Sequence, residues 1–497
     1  MSRNEKNRGG LKAVLIVLIL VFIAASAFMV KMCLDLTTHV PENRPGTQES
    51  IPGEEMTVPT EMETEPPTTV PVPEHVVSTA SIGSMGDLLM HKPIFDDTQY
   101  NAAVQQADGS YNFESVFRYL KDYIQELDYA AVNLETTLAG TDNGYGYSGY
   151  PHFNCPDDIV DGAKEAGFDM LLTANNHSYD TTLVGYKRTL EVARAAGFDT
   201  MGTYASADET KWFVKEINGI KVGMLCYTYA NYDTEDGRPS LNGNNPISEA
   251  GLCNYFTYED LYGFYDEVKG YMAEMEEAGA EATMMYIHWG VEYLTYANDH
   301  QKTIAQDLCD LGIDVIVGGH PHVVEPVELL SSRTDPEHKT VCLYSMGNAV
   351  SNQRLGNISY ISTAHTEDGI LFTVTFEKYS DGTVYLAGVE AIPTWVNMHT
   401  NGNGKTEYNI LPLDYSRNAE WMSLFEINDH TFNACEKSYN RTMEIVGAGV
   451  EACQTWLAQE KADREQYYYD LAFFPEKFAT QATEETVPET TALPDAA

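Results

Sequence analysis

Past residue 75 the chain alternates short apolar runs with longer amphipathic stretches. The runs Val76–Met85, Tyr129–Leu134, Asp169–Thr173, Ile220–Tyr227, Ala282–Ile287, Asp314–Val317 and Thr340–Tyr344 have the length and residue types of buried strands. The stretches between them carry helical spacing. Two of these, Ile159–Ala166 and Leu190–Ala196, run into Ala-Gly-Phe-Asp, which predicts helices closed by Gly167 and Gly197. Further on the pattern becomes long alternation, Gly369–Tyr379 and Thr383–Val389, joined by Ser380-Asp381-Gly382 in the manner of a hairpin. Residues 433–459 return to helical spacing and predict a closing helix. Strands alternating with helices predict an α/β layer architecture with a mixed sheet.

The pattern breaks at both ends. Ala13–Val30 is apolar and uncharged, about the minimum length, roughly 18–20 residues, that spans a bilayer. Arg3, Lys6, Arg8 and Lys12 precede it, which keeps that flank cytoplasmic and exports the rest of the chain. A cleaved signal peptide is the rival, and Ala24-Ala25-Ser26-Ala27 offers it a cleavage site. Residues 34–78 are rich in proline, threonine and acidic groups, too poor in large apolar side chains to fold, and read as a disordered spacer. Residues 478–497 repeat that chemistry as a tail. The expected organisation is therefore 1–33 basic flank and transmembrane anchor, 34–78 linker, 79–400 main domain, 401–477 an extension packing on it, and 478–497 tail.

At 497 residues with 43% hydrophobic content, the chain can build a large core. Its 74 acidic residues against 30 basic ones give a net charge of −44, which repels phosphate backbones and excludes nucleic acid as a partner. The 8 cysteines show no C-x-x-C and no regular spacing, so neither a zinc ribbon nor a disulfide framework is expected. Most lie in apolar runs as small buried hydrophobes; a Cys435–Cys453 pairing stays open.

Groups able to bind metal cluster just past the proposed strands, where open α/β sheets bind ligands. In chain order they are Gly86-Asp87, Asn133-Leu134-Glu135, Asn175-Asn176-His177, Ile287-His288-Trp289-Gly290 and Gly318-Gly319-His320-Pro321-His322. Each has an ordinary reading taken alone: a turn residue, a helix-start charge, a satisfied histidine. Together they form a set of oxygen and imidazole donors without a thiolate, which suits two divalent ions, Mn, Fe or Zn, in a carboxylate-bridged centre.

These residues also carry a resemblance. The segment from Ile82 to Gln353 resembles the CapA family of poly-gamma-glutamate capsule-synthesis proteins, through GDLLM, NLETTLAG, TANNHSYDTTLVGYKRTLEVARAAGFDTMGTY, IHWGVEY, IDVIVGGHPHVVEPVE and YSMGNAVSNQ in the family's order. The resemblance implies a calcineurin-like metallophosphoesterase fold, a four-layer α-β-β-α sandwich with its site at one edge of two packed sheets. It implies that Asp87 holds one metal, Glu135 bridges both, Asn176, His288 and His320 complete the second, and His322 returns to the first. His177 would be the general acid.

Two departures stand out. Metallophosphoesterases usually carry Asp-x-His at the first strand, whereas Leu88 and Leu89 follow Asp87 here; His91 is the candidate substitute ligand. The family often has an arginine where this chain has Asn154, and Arg354 is the candidate replacement for gripping an anion. Asn348 is expected to reach the pocket from the Tyr344–Asn348 turn.

The apolar run and its basic flank, taken with the resemblance, lead to the expectation of a bacterial cell-membrane protein, single-pass with an extracellular C-terminal domain. It would make, tether or trim poly-gamma-glutamate or a similar envelope polymer with a metal-dependent hydrolase site. Its partners would be the membrane, capsule-synthesis membrane proteins and the anionic polymer. A phosphoesterase acting on a small phosphate ester or nucleotide uses the same residues. A non-catalytic scaffold of a capsule-export assembly is the third reading, favoured by the weakened first metal site.

Overall fold

Val76–Leu88 alternates between exposed and half-buried positions at its start and is almost wholly buried over its second half, as in a strand that runs from the surface into a covered sheet. The computed structural model describes residues 72–479 apart from 143, 233, 235–236, 243–244, 248, 250, 360, 416–424 and 426. The apolar run at 13–30, most of the linker and nearly all of the tail lie outside the described residues. Among the described residues, no helix is long and apolar enough to cross a membrane.

The first sheet begins with β1 (Val76–Leu88), β2 (Tyr129–Asn133), β3 (Met170–Leu172) and β4 (Asp199–Met201), all parallel. The chain then builds a second sheet from β5 (Phe213–Ile217) and β6 (Ile220–Tyr229), makes a small ribbon of β7 (Ser240–Leu241) and β8 (Asn245–Pro246), and adds β9 (Tyr255–Phe256), β10 (Ala282–His288), β11 (Val315–Gly319), β12 (Val327–Ser331) and β13 (Lys339–Leu343). It returns to the first sheet with β14 (Asn348–Val350), β15 (Asp368–Tyr379), β16 (Val384–Thr400) and β17 (Thr406–Pro412). The strand orders are β17-β16-β15-β1-β2-β3-β4 and β12-β13-β11-β10-β6-β5, with β14 beside β1 and β9 beside β6.

The two sheets share an apolar interior in which Ala80, Ile82, Ala131 and Met170 of the first meet Met224, Met284 and Val315 of the second. Ser84 Oγ and Tyr286 OH join across it at 3.0 Å. On the outer face of the first sheet, Met85, Val132 and Leu171 pack against residues of helices Glu114–Phe117 and Asp158–Ala166. Leu225, Met285 and Ile316 do the same against helices Leu261–Glu277 and Asp299–Asp310. The result is a helix–sheet–sheet–helix stack.

A 45-residue helix, Asp429–Phe473, lies along β16 and β12 and sends Val446, Val450, Cys453 and Leu457 into the space between the sheets. It extends beyond the expected 433–459 at both ends. Cys435 and Cys453 are both free and buried on this helix. The pairing left open is thus corrected: eighteen residues at ~1.5 Å each put them far outside disulfide reach.

The strand and cap expectations translate into specific geometry. Gly167 caps its helix with φ +111°. Gly197, φ +83°, directly follows Ala196 at the end of a helix that starts earlier than expected, at Thr182. β15 and β16 form the predicted hairpin, with Gly382 at φ +94°. β1 starts at Val76, so three residues counted with the linker are strand, and β17 carries the first sheet past residue 400.

Candidate metal centre

Parallel pairing aligns the strand ends that carry the chemistry. Asp87 of β1 stands in register with Asn133 of β2 and Asn348 of β14, while His288 of β10 pairs with Gly319 of β11. Two glycines make the close approach of backbones possible: a Cβ on Gly86 would overlap the carbonyl oxygen of Gly347, and one on Gly318 would overlap that of Tyr344. The His320-Pro321-His322 turn follows β11 with both histidines at positive φ, +98° and +56°. Such strain in non-glycine residues is held only where the surroundings over-determine it, and it clusters at functional sites.

Six of the expected residues come together. Two groups of three buried side chains, Asp87–Glu135–His322 and Glu135–His288–His320, each place their ligand atoms within 4.8 Å of one another, and Glu135 belongs to both. Glu135 Oε1 is 3.6 Å from His288 Nε2 and 3.7 Å from His322 Nε2, and has no hydrogen-bond partner among the described residues. Asn176 Oδ1 lies 2.9 Å from His288 Nε2, which puts a neutral oxygen at the second group. His320 Nδ1 is buried and likewise unpartnered among the described residues, its ring 4.8 Å from that of His288.

The electrostatics are those of a site short of positive charge. Burial, then the neighbouring Asp87, holds the Glu135 carboxyl well above its ordinary range. Burial and the other imidazoles push His288 and His320 well below theirs, which keeps their lone pairs free for a ligand at neutral pH. Burial also works against protonated His322, but its contact with Asp87 outweighs this and the net shift is upward. Orphaned carboxylate oxygen, neutral imidazoles and an all N/O donor set fit divalent metal.

The other expected residues lie around this core. His177 is buried, with Nδ1 2.7 Å from Asp180 Oδ2 and its ring edge-on to Phe153 at 4.7 Å. It borders a cleft of about 360 Å³ that His91, Phe153, Tyr150, Tyr293 and His322 also line. His91 is outside both groups of three; its Nδ1 is 3.1 Å from the Leu89 carbonyl oxygen, and burial lowers it to about 3. Asn348 Nδ2 donates to the backbone carbonyl of His322 at 3.1 Å and so braces the strained turn.

The two positions considered for an anion grip are both engaged elsewhere. Asn154 is fully buried, its amide donating to the carbonyls of Gly140 and Gly146. Arg354 donates to Glu367 Oε2 at 2.9 Å and to the Val396 carbonyl, with Trp395 beneath it.

Several contributors had no assigned role in the sequence. Asn133 Nδ2 donates to Asp87 Oδ1 at 2.7 Å, and Asn175 Nδ2 donates to Asn133 Oδ1 at 3.1 Å, so the two amides fix the carboxylate that starts the site. Both stood beside chosen residues in the strand-end motifs. Asp180, three positions after His177 on the same turn, was legible as a pair by spacing. Tyr293, with φ +68° and its N–H donating to the Pro321 carbonyl at 2.8 Å, had no such signal.

The architecture and buried ligand groups define an α/β protein with a candidate metal centre. The family model described as "Bacterial capsule synthesis protein PGA_cap" matches residues 81–353, and the chain belongs to that family. It is 26% identical over 277 residues to the PGA biosynthesis protein CapA of Bacillus subtilis (strain 168), covering 55% of this chain and 67% of that one. It is also 26% identical over 337 residues to the capsule biosynthesis protein CapA of Bacillus anthracis, covering 65% and 73%. Among solved structures, one described as a 5'-nucleotidase from Staphylococcus aureus aligns with TM-score 0.36 and 13% identity over 73% of this chain and 58% of its own. The sulfate thiohydrolase SoxB of Thermus thermophilus aligns with TM-score 0.34 and 12% identity over 67% and 56%.

Proposed function

We propose that this protein is a membrane-anchored, extracellular hydrolase of capsule synthesis. It would trim or tether poly-gamma-glutamate or a similar anionic envelope polymer at a metallophosphoesterase-like two-metal centre, alongside membrane proteins of the capsule machinery. The observation that carries the reading is Glu135, the carboxylate shared by two buried ligand triads.

Asp87, Glu135 and His322 would hold one ion; Glu135, Asn176, His288 and His320 would hold the other. Bound there, two cations supply the charge that acidifies water and polarises a carbonyl or phosphoryl group. The protein's own groups do the rest. Asp180 holds Nδ1 of His177, which leaves Nε2 to deliver a proton to the departing amine as water adds to the γ-carbonyl carbon and the C–N bond breaks. Phe153 and Tyr293 line the cleft with aromatic surface that limits access of bulk water.

The engagement of Arg354 and Asn154 favours amide over phosphate ester: neither residue offers the bidentate fork with which proteins commonly grip a phosphoryl group. The anionic body also repels a polyanion outside the metal cleft, so attraction would be confined to the site.

The test is turnover by the metal-loaded protein on γ-glutamyl oligomers beside an aryl phosphate. Release of free amine from the oligomers, abolished by His177→Asn, is the expected result. Turnover of the aryl phosphate alone would replace this reading with the phosphoesterase. Turnover of neither, with metal bound, would leave the scaffold.

A further inference from the structure

The tip of the long helix carries side chains that the metal centre does not use. Over its last turns Tyr467, Tyr469, Leu471, Phe473 and Phe474 are 37–49% exposed. Their rings nevertheless pack on one another: Tyr469 lies 4.8 Å from Phe473 and 6.2 Å from Phe474, and Tyr467 lies 5.4 Å from Phe478. Tyr468 turns inward, its hydroxyl donating to Asp381 Oδ2 at 2.6 Å and its ring 5.3 Å from Tyr379. The helix therefore ends in an exposed aromatic collar fixed to the β15–β16 hairpin.

The chain enters the described body at the same place. Ser380 of that hairpin and His75 exchange two hydrogen bonds, His75 N–H to Ser380 Oγ at 3.1 Å and Ser380 N–H to the His75 carbonyl at 2.9 Å. Ahead of His75 the sequence holds 74 residues, the apolar run 13–30 among them. The metal centre is at the other end of β1: eleven steps from Val76 to Asp87, roughly 35 Å at ~3.3 Å per residue.

We propose that the collar is a lipid-contacting surface, seated in the headgroup layer of the bilayer, with the metal cleft directed away from it. Phenylalanine and tyrosine, an apolar ring with or without a polar tip, are the side chains that partition to membrane interfaces. Lipid is the occupant favoured over a second copy because the polypeptide bearing the apolar run meets the body beside the collar. Asp463, Glu465, Asp470 and Glu476 outnumber Arg464 and Lys477 around the rings, and Lys477 is paired with Asp470 at 2.9 Å, so contact rests on ring burial and not on attraction to anionic headgroups. The inference rests on the anchored reading above. It adds that the site presents to polymer out in the envelope, on the far side of the body from the headgroups.

A tethered assay makes the test independent of the natural anchor. Every buried apolar residue of the described body falls between Ala80 and Tyr468, so residues 72–497 hold a complete core. This body, attached by an N-terminal histidine tag to nickel-chelating lipid in phosphatidylcholine vesicles, is compared as Phe473→Trp and Tyr262→Trp. Tyr262 is 87% exposed on the first turn of Leu261–Glu277, a helix that carries none of the collar residues. Brominated phosphatidylcholine should quench the added emission of Phe473→Trp roughly twofold or more over that of Tyr262→Trp, as expected for a ring in the interface. The difference should persist in about 0.5 M salt, where surface electrostatics are screened. Equal quenching at the two positions, or a difference that salt abolishes, overturns the proposal. Failure of the untagged full chain to float with the same vesicles, beside preserved quenching in the tethered body, would strike the anchor alone.

Discussion

His322 and Asp87 are 235 residues apart in the chain and meet at 2.9 Å in the buried centre. One ends the strand that opens the first sheet, and the other sits on the turn that leaves the second, so the contact bolts the two sheets together at the site. Glu135 shares this corner with both histidines of the second group, and its substitution should therefore act on two ions at once. Elemental analysis of protein loaded with Mn, Fe or Zn should give about two equivalents for the wild type, about one for Asp87→Asn, and little for Glu135→Ala. Full metal content in Glu135→Ala would sink the shared-ligand centre.

His177 predicts a separation of chemistry from metal binding. Because it belongs to neither group of three and is held by Asp180 at 2.7 Å, His177→Asn should lower kcat about 10²–10⁴-fold with metal content unchanged. Asp180→Asn should lower kcat less than His177→Asn, since it disturbs the orientation and tautomer of the imidazole together with the Phe153 N–H that the same oxygen accepts at 2.6 Å. Loss of metal in either variant would return His177 to a structural role.

Most of the centre was legible in the sequence because its donors follow apolar runs, and parallel strands deliver their C-terminal ends to one edge. The pairing of β1 with β2, β14 and β15 was not legible, since strand order depends on packing between segments distant in the chain. For the same reason the sequence could not show that Arg354 faces Glu367, nor that His91 lines the cleft with its Nδ1 turned to the Leu89 carbonyl. The positive φ of His320, His322 and Tyr293 had no marker at all, for none of the three is glycine.

Arg354 and Glu367 give a stability prediction. The pair is buried, with Trp395 Nε1 also donating to Glu367 at 3.2 Å. Arg354→Met leaves a carboxylate without its main partner and should cost about 3 kcal/mol in urea unfolding, with metal content and kcat retained. A stable variant with a raised KM would instead assign the guanidinium to substrate.

Glu325 gives a pH prediction. Its side chain is fully buried, Oε2 accepts from Gln301 Nε2 at 2.6 Å, and burial pushes its carboxyl from 4.5 up to about 8. Between those values the folded protein keeps a proton that the unfolded chain has released, so stability falls as pH rises across the window. Glu325→Gln removes the ionisation. It should be near neutral at pH 5 and stabilising by roughly 1–3 kcal/mol at pH 8. The same difference from wild type at both pH values would rule this origin out.

The two glycines of the long helix should respond oppositely to the same substitution. Gly449 lies against β12, where a Cβ would overlap the Val327 carbonyl oxygen and sit 3.1 Å from the Val327 Cβ. Val446, Val450 and Cys453 bury on the same stripe, so the helix cannot shift outward without lifting them from the inter-sheet core. Gly449→Ala should cost about 2 kcal/mol through this overpacking. At Gly447 the nearest atom to a new Cβ is the flexible Met443 Cε at 3.5 Å, which is ordinary contact. Gly447→Ala should gain about 0.5–1 kcal/mol from helix propensity alone. Thermal or urea unfolding of the two variants side by side separates a helix held by close backbone approach from one merely lying on the sheets, because only the first makes the two substitutions differ in sign.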